Sequence, residues 1–222
     1  MAPRLITMLT YNDETVKNGF EVFEQCADLP AQFWGFKDVG LSKAEMRRLV
    51  ERMKEREKTA FLEVVSLSER ECLRGARLAL DCGFDYLMGT VYHDSVFRLM
   101  QGREVKFFPF AGRVSGHPSV LEGTIAEILA DGQRLQALGV SGFDLLAYRH
   151  PTDAEDVAKA FIEGVRVPVV LAGSIDGFPR LGAVKRLAPW AFTIGSAFFD
   201  GKFVPSGTFR DQLARVLGFL AE

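Results

Sequence analysis

The residues with most chemical potential stand at the ends of apolar runs. Lys37 and Asp38 close AQFWGFK (31–37), Glu63 lies inside TAFLEVV (59–65), and Arg149 and His150 follow FDLLAY (143–148). A lysine stripped of water can become a neutral nucleophile and form a Schiff base with a carbonyl compound; as a plain cation it pairs with a phosphate or carboxylate. The bland alternative is a salt bridge from Lys37 to Glu63 or Asp38. A carboxylate inside an apolar strand is costly to bury unpaired, so Glu63 must meet a cation or act as an acid or base with a raised pKa. Arg149 has the fork geometry to clamp a phosphate or carboxylate, and His150 titrates near neutrality. Tyr148 adds a possible donor. Against this, both Arg149 and His150 could belong to a helix-entry turn before Pro151, facing solvent.

A second pattern lies near the C-terminus, where two apolar runs end alike: Ala172-Gly173-Ser174 after PVVLAG (168–173) and Ile194-Gly195-Ser196 in AFTIGS (191–196). Glycine lets backbone approach an anion closely, and serine adds a hydroxyl donor. Either loop alone could be a tight turn. The repetition favours phosphate binding at Gly173, Ser174, Gly195 and Ser196.

These residues need elements to position them. LITMLT (5–10), FDYLMGT (84–90) and EVKFFPF (104–110) bring the strand candidates to eight. Their apolar, β-rich character fits parallel strands buried on both faces. Helical segments alternate with them. Met46, Leu49, Val50 and Met53 share one helix face, as do Ile125, Ile128, Leu129, Leu135 and Leu138. Capping boxes are expected at Ser42/Glu45, Ser68/Glu71 and Thr152/Glu155, and left-handed C-caps at Gly83 and Gly139. A last helix is expected over 206–221. Gly83-Phe84-Asp85 and Gly142-Phe143-Asp144 echo one another ahead of strands, which suggests repeated βα units. The stretch FPFAGRVSGHPS, containing Arg113 and His117, is the longest break between a strand and its helix and reads as a lid. Asn12 and Asp13 follow the first strand, and Asp13 reads as a helix cap. The expected fold is α/β, one (β/α)₈ TIM barrel over residues 1–222, with its site where strand C-termini meet the following loops. The alternative is an open doubly wound sheet; the even count, uniform spacing and last helix favour closure, and the absence of G-x-G-x-x-G after the first strand counts against a dinucleotide fold.

With 27 basic and 29 acidic residues, the net charge is −2. No basic stripe advertises nucleic-acid binding, and no apolar run reaches membrane-spanning length. Three scattered cysteines and a start without an apolar leader point to a cytoplasmic protein with reduced thiols. No cofactor is expected. Glu63, His93 and His150 could make a metal set only if the fold brought them together, and no metal is expected. A homodimer is the expectation from barrels in general.

Residues 167–199, with their paired Gly-Ser endings, resemble the ribulose-phosphate-binding (β/α)₈ barrel superfamily of phosphosugar isomerases, decarboxylases, aldolases and epimerases. They also resemble glycerol-3-phosphate-responsive antiterminator barrels. The resemblance implies a small phosphorylated metabolite held at Gly173, Ser174, Gly195 and Ser196. The chain departs from particular members. The D-x-K-x-x-D run of sugar-phosphate decarboxylases is replaced by FLEVVS, with Glu63 but no lysine. Their His-Arg pair appears in reverse order as Arg149-His150. The metal ligands of pentose-phosphate epimerases and the paired aspartates of imidazole-ribotide isomerases are not matched. The expectation is an enzyme, a lyase or isomerase acting on a small phosphorylated carbonyl compound through Lys37, Glu63, Arg149 and His150. The alternatives are a non-catalytic phosphometabolite sensor, or a carboxylate-binding barrel clamped by Arg113 and Arg149.

Overall fold

Eight of the apolar runs become one parallel sheet: β1 Arg4–Met8, β2 Phe33–Lys37, β3 Thr59–Ser66, β4 Tyr86–Thr90, β5 Lys106–Phe108, β6 Phe143–Leu145, β7 Val169–Leu171 and β8 Ala191–Ile194. The computed structural model describes residues 2–116 and 118–222; His117 lies outside them. The strand order is β6-β7-β8-β1-β2-β3-β4-β5. Its two ends meet at one parallel bridge, Phe110 to Asp144, where the Asp144 N–H donates to the Pro109 carbonyl at 3.1 Å. The sheet thus rolls into a nearly closed barrel.

The barrel has two apolar layers. Inside it, Ile6, Met8, Phe33, Phe61, Met88, Phe108, Val170 and Ala191 pack together with Tyr86 and Trp190. The Phe61 and Tyr86 rings stack at 4.3 Å, and Trp190 lies 5.4–5.6 Å from Phe33, Tyr86 and Phe108. This aromatic plug fills the lower barrel, so the interior is packed and not a pore. The outer layer lies between strands and helices. Helix α1 spans Gly19–Cys26 and α2 spans Lys43–Glu55, the latter burying Met46, Leu49, Val50 and Met53 as the periodicity requires. Then come α3 Glu69–Cys82, α4 Asp94–Met100, α5 Ile125–Leu138, α6 Ala154–Gly164, α7 Phe178–Leu187, the one-turn α8 Ser196–Phe199 and α9 Phe209–Ala221.

Local chemistry sets the element ends. Ser42/Glu45 forms a full capping box, and Gly83 and Gly139 are left-handed C-caps at φ 77° and 98°. At α3, Ser68 accepts from the Glu71 N–H, but the Glu71 carboxylate bonds the Ser66 and Ser68 hydroxyls instead of the cap N–H. The expected box at Thr152/Glu155 does not form. Asp153 is the N-cap of α6 and makes no side-chain capping bond, while its N–H donates to His150 Nδ1 at 3.1 Å. Full boxes occur instead at Thr124/Glu127 and Thr208/Asp211. The α5 face is narrower than its pattern suggests, since Leu138 is exposed.

Three strand ends also differ from the sequence reading, each with a consequence for the site. β5 stops at Phe108 because Pro109 has no N–H for the ladder, and the chain pairs again only at Phe110. β6 stops at Leu145 and turns through a 3₁₀ helix, Ala147–Arg149. After β1, the chain forms a two-residue hairpin pairing Thr10–Tyr11 with Glu14–Thr15. Asn12 and Asp13 occupy its turn with φ of 49° and 64°, the primed-turn conformation that suits a tight hairpin. Asp13 therefore does not cap a helix.

Candidate active site

Register places the charged groups directly above the plug. Lys37 on β2 lies opposite Glu63 on β3, and Glu63 lies opposite Met88 on β4. Lys37 is only 7% exposed, yet its ammonium donates to Asp13 Oδ1 at 2.7 Å. The hairpin that carries Asp13 is anchored by Thr15, whose hydroxyl donates to the Lys37 carbonyl at 2.8 Å and accepts from the Lys37 N–H at 2.9 Å. Burial pushes the Lys37 pKa down, but Glu63 and Asp13 outweigh it and the net shift is upward. Lys37 is thus held as a cation and is not a poised neutral amine. Asp38 turns away and pairs with Arg74 at 2.8 Å.

Above this group opens a cavity of about 410 Å³. Its lining includes Asp13, Lys37, Glu63 and Arg149 together with Gly173, Ser174, Gly195, Ser196 and Lys202. Seven of the eight residues expected from sequence therefore share one cavity. A small inner lobe of about 20 Å³ adjoins it, bounded by Asp13, Lys37, Glu63, Phe110, Ser119, Arg149 and Gly173 among others. Backbone at the loop positions is tightly constrained. Gly173 has φ 84°, and a Cβ there would come within 2.8 Å of Arg149 Nε. At Gly195 a Cβ would come within 2.9 Å of the Thr10 carbonyl oxygen. Ser174 takes φ 55°, unusual for a non-glycine residue. The Ser196 hydroxyl accepts from the Asn12 N–H at 3.3 Å.

His150 is not among the cavity's lining residues. Its Nε2 lies 2.9 Å from the Gly123 carbonyl, and its Nδ1 accepts from the Asp153 N–H. Those partners fix one tautomer and tie the ring to the start of α6. Tyr148 is not among the lining residues either; Arg180 lies 5.4 Å over its ring and its hydroxyl is buried without a partner. Both follow from the 3₁₀ turn after β6. The stretch read as a lid is an antiparallel ribbon, Arg113–Ser115 with Val120–Glu122. Arg113 pairs with Glu122 at 2.8 Å and does not join Arg149. It lines a second cleft of about 420 Å³ on the barrel flank. The Arg134 guanidinium in that cleft pairs with Asp131 at 2.7 Å, so this surface offers little unmet charge. His93 Nε2 lies 3.3 Å from the Leu67 carbonyl. Among the described residues, no three His, Cys, Asp or Glu side chains gather as a metal-holding group, so Glu63, His93 and His150 do not form one. Among the same residues, no helix is long and apolar enough to cross a membrane.

The residue most clearly missed from sequence is Asp144. It is fully buried on β6, and neither carboxyl oxygen has a hydrogen-bond partner. Its carboxyl pKa is raised well above the ordinary value, first by burial and then by the charge of Glu63; Lys37 and Arg149 oppose this. A buried acid whose pKa is pushed upward therefore sits at the barrel seam, within the field of the same three groups. The signal was present: an aspartate inside FDLLA violates apolar patterning just as Glu63 does. The Gly-Phe-Asp echo does not distinguish it from its counterpart Asp85, which accepts the Ala60 N–H at 2.8 Å. Asp13 and Lys202 were likewise missed as lining residues. Three buried threonine hydroxyls, at Thr7, Thr10 and Thr90, lack partners, and Thr10 lines the cavity.

No protein-family model matches the chain, and no curated protein matches it in sequence. Solved structures do match its fold. Orotidine 5'-phosphate decarboxylase from Pyrococcus horikoshii OT3 superposes with a TM-score of 0.71 at 10% identity, covering 98% of this chain and 99% of that one. A native KDPGal structure gives 0.65 at 12%, covering 96% and 92%. N-acetylmannosamine-6-phosphate 2-epimerase from Clostridium perfringens gives 0.62 at 12%, covering 98% and 93%. At 10–12% identity the likeness is one of fold: the chain is a (β/α)₈ barrel, as expected from its sequence.

Proposed function

We propose that this protein is an enzyme, a lyase or isomerase, acting on a small phosphorylated carbonyl compound. The observation that carries the reading is Lys37: a buried cation, held charged by Asp13 and Glu63, facing a cavity that also reaches two Gly-Ser loops. Phosphate would lie at Gly173, Ser174, Gly195 and Ser196, with Lys202 adding charge. Loops after the last two strands are a recurrent phosphate site in barrels. The carbonyl end then faces Lys37, Glu63 and Arg149. Aldol cleavage, enolisation and decarboxylation all pass through an enolate, and the cations stand where its negative oxygen develops. Glu63, half-buried beside Lys37, is the group placed to move a proton. The decarboxylase and the epimerase with this fold support an enzyme over a sensor.

The test is deuterium exchange into dihydroxyacetone phosphate and related phosphorylated ketones, followed by NMR in D₂O, alongside a thermal-shift screen with unphosphorylated counterparts. Exchange beside the carbonyl that is lost in Lys37→Met and Glu63→Gln supports the reading. Binding of phosphorylated compounds without exchange or turnover in any of them would instead favour a sensing barrel.

A further inference from the structure

We infer that the site takes a phosphorylated compound bearing a second anionic group, a carboxylate, and that Arg149 is the residue that receives it. This rests on the phosphate reading above and adds the class of ligand. Several cations near the barrel mouth already have a carboxylate: Lys37 has Asp13, Arg180 has Asp176, Arg74 has Asp38 and Arg113 has Glu122. Arg149 has none among the described residues. Its five N–H donors make one long hydrogen bond, from Nη1 to the Ser119 carbonyl at 3.5 Å, and its Nε is buried without a partner. A guanidinium left this unsatisfied beside a cavity is matched to a planar, bidentate anion.

Its position separates it from the β8 loop. Arg149 borders both the open cavity and the inner lobe, together with Asp13, Lys37 and Glu63; Gly195, Ser196 and Lys202 border the open cavity alone. The side chain crosses Gly173, and this crossing, as much as any anion, requires glycine there. From there its head reaches the buried Ser119, on the ribbon after β5. A ligand with phosphate toward Lys202 and carboxylate at Arg149 would span the cavity and place its middle carbons over Lys37 and Glu63. Keeping the two anions at opposite ends also limits their mutual repulsion.

The probes are glycerol 3-phosphate and 3-phosphoglycerate, titrated calorimetrically into the full chain. They share backbone and phosphate and differ at the far carbon, a hydroxymethyl against a carboxylate. We expect 3-phosphoglycerate to bind at least about tenfold tighter, as a charge-assisted bidentate contact would give. In Arg149→Met this preference should vanish, with 3-phosphoglycerate losing at least about tenfold more affinity than glycerol 3-phosphate. Arg149→Gln, which keeps a hydrogen-bonding head, is the second variant should the first fail to fold. Equal affinities in the wild type, or equal weakening of both ligands in the variants, would overturn the inference; the latter makes Arg149 a phosphate clamp. If neither phosphorylated probe binds but glycerate does, the phosphate reading itself fails and this inference with it.

Discussion

Replacing Asp144 by asparagine should make the protein's stability less sensitive to pH, by an amount that linkage fixes. Asp144 is fully buried with neither oxygen bonded, and burial and the neighbouring Glu63 raise its pKa well above the ordinary carboxylate value. An acid whose pKa rises on folding holds its proton more tightly in the native state. Between the unfolded value, about 3.9, and the native value, the folded chain carries a proton that the unfolded chain has released. Its contribution to stability is therefore undiminished below pH ~3.9 and falls by about 1.4 kcal/mol per pH unit above it, until the native carboxyl itself ionises. The asparagine side chain has the same shape and no such proton. The stability of Asp144→Asn minus that of the wild type should thus grow by about 1.4 kcal/mol between pH 4.5 and 5.5. Urea denaturation of both proteins at half-unit pH steps measures it, and taking the difference cancels groups shared by the two. A difference that stays flat with pH would mean that Asp144 ionises alike in both states, and the upward shift at the seam would be refuted. A difference that shrinks as pH rises would reverse the sign and require a bonded, ionised carboxylate.

Other consequences concern the hairpin and the core. Asp13→Asn should cost about 1–2 kcal/mol at neutral pH, less than a fully buried pair because Asp13 is a third exposed. Since Lys37 is raised by Asp13 and Glu63, its contribution is present below the unfolded lysine value, about 10.4, and is lost as pH rises through the native one; the gap between Asp13→Asn and wild type in denaturant titrations should therefore close at high pH. Thr124→Ala removes the hydroxyl that caps α5 and bonds Glu127, and should lower stability by about 1 kcal/mol in the same assay. Phe61→Ala, within the plug and stacked on Tyr86, should cost about 3–5 kcal/mol.

Much of the frame is written in local pattern. The eight apolar runs, the buried α2 face, the Ser42 box and the Gly83 and Gly139 caps depend on neighbours within a few residues, and such neighbours can be read along the chain. That Lys37, Glu63, Arg149 and the Gly-Ser endings line one cavity was legible for a related reason: a polar group or a glycine at the end of a buried strand has few places to go except the barrel mouth. What tertiary structure alone decided was partnership. Asp13 reads as a cap until the hairpin folds it onto Lys37, residues 24 apart in sequence and 2.7 Å apart in space. His150 and Arg149 are adjacent in the chain, yet the 3₁₀ turn after β6 gives one to a helix start and the other to the cavity. Asp85 and Asp144 share the same local motif, but only barrel closure at Phe110 leaves one inside without a partner. Hydrophobic period fixes which residues are buried, while the charge state and role of a buried group depend on what is brought against it from elsewhere in the chain.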